Sequence, residues 1–92
     1  MSDVVTREEI LALLMDRLSS VLGLGDEELD EASHFDEDLH ADSLDLVEVI
    51  ESVERALAER GVYITMSDEE LVALRTVGEA ADKLAELAEG EG

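Results

Sequence analysis

Asp42-Ser43-Leu44-Asp45-Leu46-Val47-Glu48-Val49-Ile50-Glu51-Ser52-Val53-Glu54-Arg55-Ala56-Leu57 is the stretch on which the fold turns. Leu46, Val49, Ile50, Val53 and Leu57 recur at spacings of three and four, which puts them on one face of a helix. Asp42 is placed as its N-cap, with Asp45 three residues on, and both acids suit the positive end of the helix dipole. Ser43 then offers a hydroxyl in the first turn, beside an irregular acidic loop. Free backbone N–H groups at such an end favour anions, so a phosphate ester on Ser43 would be well placed. The spacing predicts a helix over about 43–60, closed by Gly61. At 100° per residue, Leu44, Val47, Glu48, Glu51 and Arg55 share its outward side. Two aliphatic residues among acids there are not needed for folding. Beside Ser43 they read as the apolar centre of an interface with a charged rim.

Upstream, Thr6 and Glu9 form a T-x-x-E capping box, after residues 1–5 that read as a frayed end. Ile10, Leu11, Leu14, Leu18, Val21 and Leu22 follow on one face, with Leu13 off the stripe, and Gly23 is the natural stop. This predicts a first helix over about 6–22. Residues 23–42 then form a long loop. Leu24, Leu29, Phe35 and Leu39 are spaced as anchors that pin it to the bundle, with room for one short turn over residues 26–29. Phe35 is read as a core plug. Loops this long in compact domains are often functional.

Downstream, Val62 and Ile64 are expected to fold back onto the core, with Tyr63 between them. Ser67 and Glu70 open a short third helix near 68–74, and Thr76 and Glu79 open a last helix near 77–88. Its apolar side is Val77, Ala80, Ala81, Leu84, Leu87 and Ala88, with Glu79, Asp82, Lys83 and Glu86 outside. The expected fold is all-α. It is a four-helix bundle with three longer helices, a short third helix and a long loop between helices 1 and 2. The whole chain, 1–92, is read as one domain, ordered over about 5–88 and with a disordered tail over 89–92.

Composition agrees. Apolar residues make up 46% of the chain but only Phe35 and Tyr63 are aromatic, so the core is thin and aliphatic. There is no cysteine, hence no disulfide and no side-chain thiol, so any thioester chemistry needs a thiol from an attached group. No apolar run reaches transmembrane length and no signal peptide is evident. A net charge of −20 argues against nucleic acid or anionic membrane partners and favours basic protein surfaces. Thirteen of the 26 acids fall in residues 26–54, and no Lys or Arg lies between Arg17 and Arg55. That clustering around Ser43 favours a docking surface over a merely solvated one.

The run Phe35-Asp36-Glu37-Asp38-Leu39-His40-Ala41-Asp42-Ser43-Leu44-Asp45 resembles the attachment motif of acyl carrier proteins, roughly F-x-x-D-L-G-A-D-S-L-D. Only His40 departs from it, where the family usually has Gly. The resemblance implies that Ser43 carries 4′-phosphopantetheine through a phosphodiester, installed by a phosphopantetheinyl transferase from coenzyme A, with Asp42 as the cap beside it. It implies a carrier, not an enzyme. Acyl groups would ride as thioesters on the arm and be presented to acyltransferases, ketosynthases and other acyl-processing enzymes of fatty acid or polyketide synthesis with basic docking patches. Leu44, Asp45, Val47, Glu48, Glu51 and Glu54 would form the partner face. Glu51 stands where many members are apolar. A monomeric, cytoplasmic protein is expected, with each docking weak and tethering supplying the effective concentration.

Other chemistries fit less well. Ser43 lacks a G-x-S-x-G elbow, and His40, three residues away, has no orienting third group. Asp36, Asp38 and Asp42 resemble fragments of a calcium loop, but Ala41 stands at its Gly position and Val47 at its bidentate Glu. No specific metal site is expected. His34 and His40 read as loop residues, the latter with the option of touching the arm's phosphate. The alternatives kept are an aminoacyl or peptidyl carrier, and an unmodified acidic adaptor or calcium-responsive regulator.

Overall fold

The computed structural model describes residues 5–25, 27 and 29–91. Four helices follow in order: α1 (Arg7–Leu22), α2 (Ser43–Ala58), α3 (Asp68–Val72) and α4 (Val77–Glu91). α1 packs against both α2 and α4, and α3 leans on α2. The all-α bundle expected from the periodicities is the fold found.

Each start is written in the sequence. At α1, Glu9 N donates to Thr6 Oγ1 at 3.1 Å and Thr6 N donates back to Glu9 Oε1 at 3.3 Å. At α3, Glu70 N donates to Ser67 Oγ at 3.2 Å and Ser67 N to Glu70 Oε1 at 2.9 Å. Both are complete capping boxes. At α4 the pattern is displaced by one residue. Glu79 N donates to Thr76 Oγ1 at 3.2 Å, but the Glu79 carboxylate accepts from Arg75 N at 2.8 Å. Gly23 (φ 71°) and Gly61 (φ 84°) supply the left-handed turns that release the chain after α1 and α2.

The core matches the α2 stripe in full and the α1 stripe in part, with Leu11, Val21 and Leu22 only partly buried against it. Ile10, Leu14 and Leu18 of α1 meet Leu46, Val49, Ile50, Val53 and Leu57 of α2, and all eight are buried. Val77, Ala80, Ala81 and Leu84 close the core from α4. Leu13, off the predicted stripe, still packs partly against it. Leu29, Phe35 and Leu39 are buried as loop anchors, Leu24 partly so. Val62 and Ile64 pack partly against the core, and Tyr63 is exposed.

α2 ends at Ala58 and α3 at Val72, each two residues before the expected end, and Val5 and the end of α4 also differ from expectation. Val5 is not a frayed residue: it is 4% exposed and belongs to the core. Residues 1–4 lie outside the described residues. α4 does not stop at 88 but runs to Glu91, since nothing from Leu87 to Glu89 breaks a helix and one Gly does not forbid another turn. Gly92 lies outside the described residues, as do Asp26 and Glu28 of the short turn expected over 26–29.

The long loop is not loose. Val77 N donates to Ser33 O at 3.1 Å and Gly78 N to Glu31 O at 2.9 Å, so loop carbonyls satisfy first-turn donors of α4. His34 pairs with Thr76 in an isolated antiparallel bridge, flanked by Phe35 N donating to Arg75 O at 2.9 Å. Arg7 closes the same seam. Its guanidinium bonds Glu31 at 2.6 Å and also Asp82, tying α1, the loop and α4 together. A side chain at Gly78 would meet Glu31 O at 3.1 Å, so this close approach uses a glycine.

Candidate functional site

Ser43 is the first residue of α2 and is exposed. Asp42 caps the helix as expected, with its Oδ1 accepting from Asp45 N at 2.9 Å. Asp45 Oδ2 accepts from Asp42 N at 3.4 Å and completes a box built from two aspartates. Among the described residues, neither the Ser43 hydroxyl nor the N–H groups of Ser43 and Leu44 have a hydrogen-bond partner. An exposed hydroxyl therefore stands beside N–H donors that have no partner among the described residues, at the positive end of a sixteen-residue helix.

An open cleft of about 400 Å³ adjoins it. Phe35, Leu46, Leu71 and Leu74 supply its apolar surface, from the loop, α2 and the α3–α4 region. Asp36, Glu37, Asp42 and Arg75 add charge around it. Phe35 is 3% exposed, so it plugs the core as read and also lines this cleft. The residues fit an ester-linked phosphate with an organic arm: a free hydroxyl, free N–H donors and an adjacent apolar trough.

The backbone at His40 shows why glycine suits that position of the motif. His40 is the only described non-glycine residue with positive φ, at 56°, a conformation glycine adopts without strain. His40 does not line the cleft; His34 does, with its Nδ1 3.5 Å from Asp38 Oδ2. Among the described residues no group of three or more His, Cys, Asp or Glu is arranged to hold a metal ion.

The expected partner face separates into free and committed residues. Leu44 is 78% exposed, and Glu48 and Glu51 are exposed without ion pairs among the described residues. Val47 is not a purely outward residue. It is half-buried and packs partly against the core. Asp45 is occupied by the cap. Glu54 is turned inward to the chain: its Oε2 accepts from Met66 N at 2.8 Å and so holds the segment leading into α3. Val72 of α3, 75% exposed, is a second bare aliphatic residue that also lines the cleft.

α3 itself is held by side chains. Lys83 Nζ lies 2.9 Å from Glu70 Oε2 and 3.4 Å from Glu86 Oε1. The ammonium of Lys83, then the N–H of Ser67, hold the Glu70 carboxyl down to about 2. Arg60 similarly lowers Glu9, across 2.6 Å.

Sequence reasoning missed Arg75 and the α3–α4 wall of the cleft. The one available signal was a basic residue directly before the Thr76 box in a strongly acidic chain.

Comparison with known proteins points the same way. The family described as "Phosphopantetheine attachment site" matches residues 12–84. An acyl carrier protein of Rubrobacter xylanophilus is 40% identical over 80 residues, covering 87% of this chain and 93% of that one. An acyl carrier protein of Chlamydia muridarum is 38% identical over 78% of this chain and 82% of its own. A meromycolate extension acyl carrier protein of Mycobacterium leprae is 36% identical over 92% of this chain and 70% of its own.

Proposed function

The chain belongs to the acyl carrier protein family, and on that premise we propose that Ser43 is the residue that bears its prosthetic group and that the exposed end of α2 is where enzymes dock. The prosthetic group is 4′-phosphopantetheine and the role is acyl carriage in fatty acid synthesis. When attached, the group supplies the terminal thiol on which acyl chains are carried.

The support for Ser43 is local. Its hydroxyl is exposed, free of hydrogen bonds among the described residues, and beside a cleft with an apolar lining. Asp42 orients the first turn, and the N–H groups of Ser43 and Leu44 are available to an anion. Ser43 has no base within hydrogen-bond reach among the described residues, which supports a substrate for modification and not a nucleophilic catalyst. The chain carries and presents; its partner enzymes do the chemistry.

For docking, Leu44 offers the apolar contact, with Glu48 and Glu51 as the acidic rim and Val47 contributing its exposed part. Phosphopantetheinyl transferases, acyltransferases and ketosynthases with basic patches are the partners. A net charge of −20 supports a monomer that stays off anionic membrane surfaces, and we propose the cytoplasm as its place of work.

Intact-mass measurement after incubation with coenzyme A and a transferase tests the assignment. The wild type should gain one phosphopantetheine and Ser43→Ala none, with its helical circular dichroism kept. A modified Ser43→Ala protein would sink the reading.

A further inference from the structure

Arg75 is anchored by its backbone and unused at its side chain. Its N–H donates to Glu79 Oε1 at 2.8 Å, and its carbonyl accepts from Phe35 N at 2.9 Å. Both ends of the residue are therefore fixed to the start of α4 and to the loop. Its exposed guanidinium, in contrast, forms no ion pair among the described residues, in a chain with 26 acids and six Lys and Arg. Arg7, Arg60 and Lys83 all reach carboxylates, at 2.6, 2.6 and 2.9 Å. Arg55 is also unpaired but lies outside the cleft, on the outward side of α2.

Arg75 lines the same cleft as Ser43 and is the one permanent cation among the residues that do. The charged groups it shares the cleft with are Asp36, Glu37 and Asp42, together with His34, whose ring is engaged by Asp38. An anion joined to Ser43 would enter a rim of three carboxylates. A cation must offset that repulsion if the anion is to lie against the protein. Arginine suits the task because its planar fork matches two phosphate oxygens at once.

We propose that Arg75 binds the phosphodiester of the 4′-phosphopantetheine arm and thereby lays the first part of the arm along the cleft. This rests on the reading of Ser43 as the attachment residue. Arg75 is a positioning residue: it biases the arm toward Phe35, Leu46, Leu71 and Leu74 and away from free solution. Because the guanidinium is exposed, the contact is sensitive to salt and easily released when a partner enzyme takes the arm.

The test uses wild type, Arg75→Gln and Arg75→Lys, each before and after loading by a transferase. Intact mass with peptide mapping first locates the group, and loading at a residue other than Ser43 overturns both readings. With Ser43 loaded, the ³¹P resonance should differ between wild type and Arg75→Gln, with Arg75→Lys in between. In the wild type the Arg75 Nε–H resonance should shift on loading. At about 1 M salt, where the Debye length is about 3 Å, the wild-type ³¹P signal should move onto that of Arg75→Gln. A phosphorus signal identical in all three loaded proteins, with Nε–H unmoved by loading, overturns the proposal while leaving Ser43 intact. The Nε–H measurement is made on the wild type, so it decides the matter even if a variant folds poorly.

Discussion

Replacing Glu54 with alanine removes the acceptor that holds Met66 N at 2.8 Å, and the cost can be worked from that one bond. A hydrogen bond to a charged group contributes roughly 1.5–3 kcal/mol net, and the Met66 N–H left behind is only partly buried, so water recovers some of the loss. Alanine also gains a few tenths of a kcal/mol in helix propensity, and one negative charge fewer relieves self-repulsion. The balance is a loss of about 1 kcal/mol, which in a domain of this size lowers Tm by roughly 4–8 °C. Glu54→Gln keeps a neutral acceptor and should lose about half as much. Glu48→Ala, at an exposed residue without an ion pair among the described residues, is the control and should melt with the wild type. Thermal circular dichroism reads the three variants, and amide exchange at Met66 should quicken in Glu54→Ala alone. In binding kinetics with a ketosynthase, charge reversal at Glu48 should slow association, as rim charges do. Should Glu54→Ala melt with the wild type and instead slow partner association, the carboxylate is a docking group and its bond to Met66 is incidental.

Two further perturbations follow from the same geometry. His40→Gly relieves a non-glycine residue at φ 56° and should stabilise the domain by up to about 1 kcal/mol, read as a higher Tm; a lower Tm would mean that His40 makes a contact worth more than its strain. The Glu70 carboxyl is held down to about 2 chiefly by Lys83 and then by Ser67 N–H, so its folded-state pKa lies below the unfolded one. Its contribution is therefore complete above the ordinary carboxylate range and fades as pH falls toward about 2. The stability difference between wild type and Glu70→Gln, measured by denaturant titration from about pH 5 to about pH 2, should shrink steadily; a difference independent of pH would show that the Lys83 contact does not stabilise the fold.

The order of the helices and the position of Ser43 were legible because both are local. Capping boxes, a 3.6-residue apolar period and a glycine stop are decided within a few residues, so Thr6, Asp42 and Ser67 could be read directly. Burial of the α2 stripe followed from the same periodicity, since one face of a helix has only one place to go. Residues 23–42 were harder, because a loop has no period to read. Its anchors could be named, but the seam it forms with α4 through Ser33, Glu31 and Arg7 joins parts of the chain far apart in sequence.

The carboxylates divide in the same way. From the sequence alone Glu48, Glu51 and Glu54 are three acids on one helix. Only the folded chain brings Met66 N to Glu54 and leaves Glu48 and Glu51 without ion pairs among the described residues. Likewise nothing near Arg75 in the sequence ties it to Ser43. The bridge between the loop and the start of α4 carries it into the cleft beside that serine. Local chemistry thus determined which residue is offered for modification. Long-range packing decided which charges surround it, because a side chain's neighbours across a cleft are set by how distant segments close on one core.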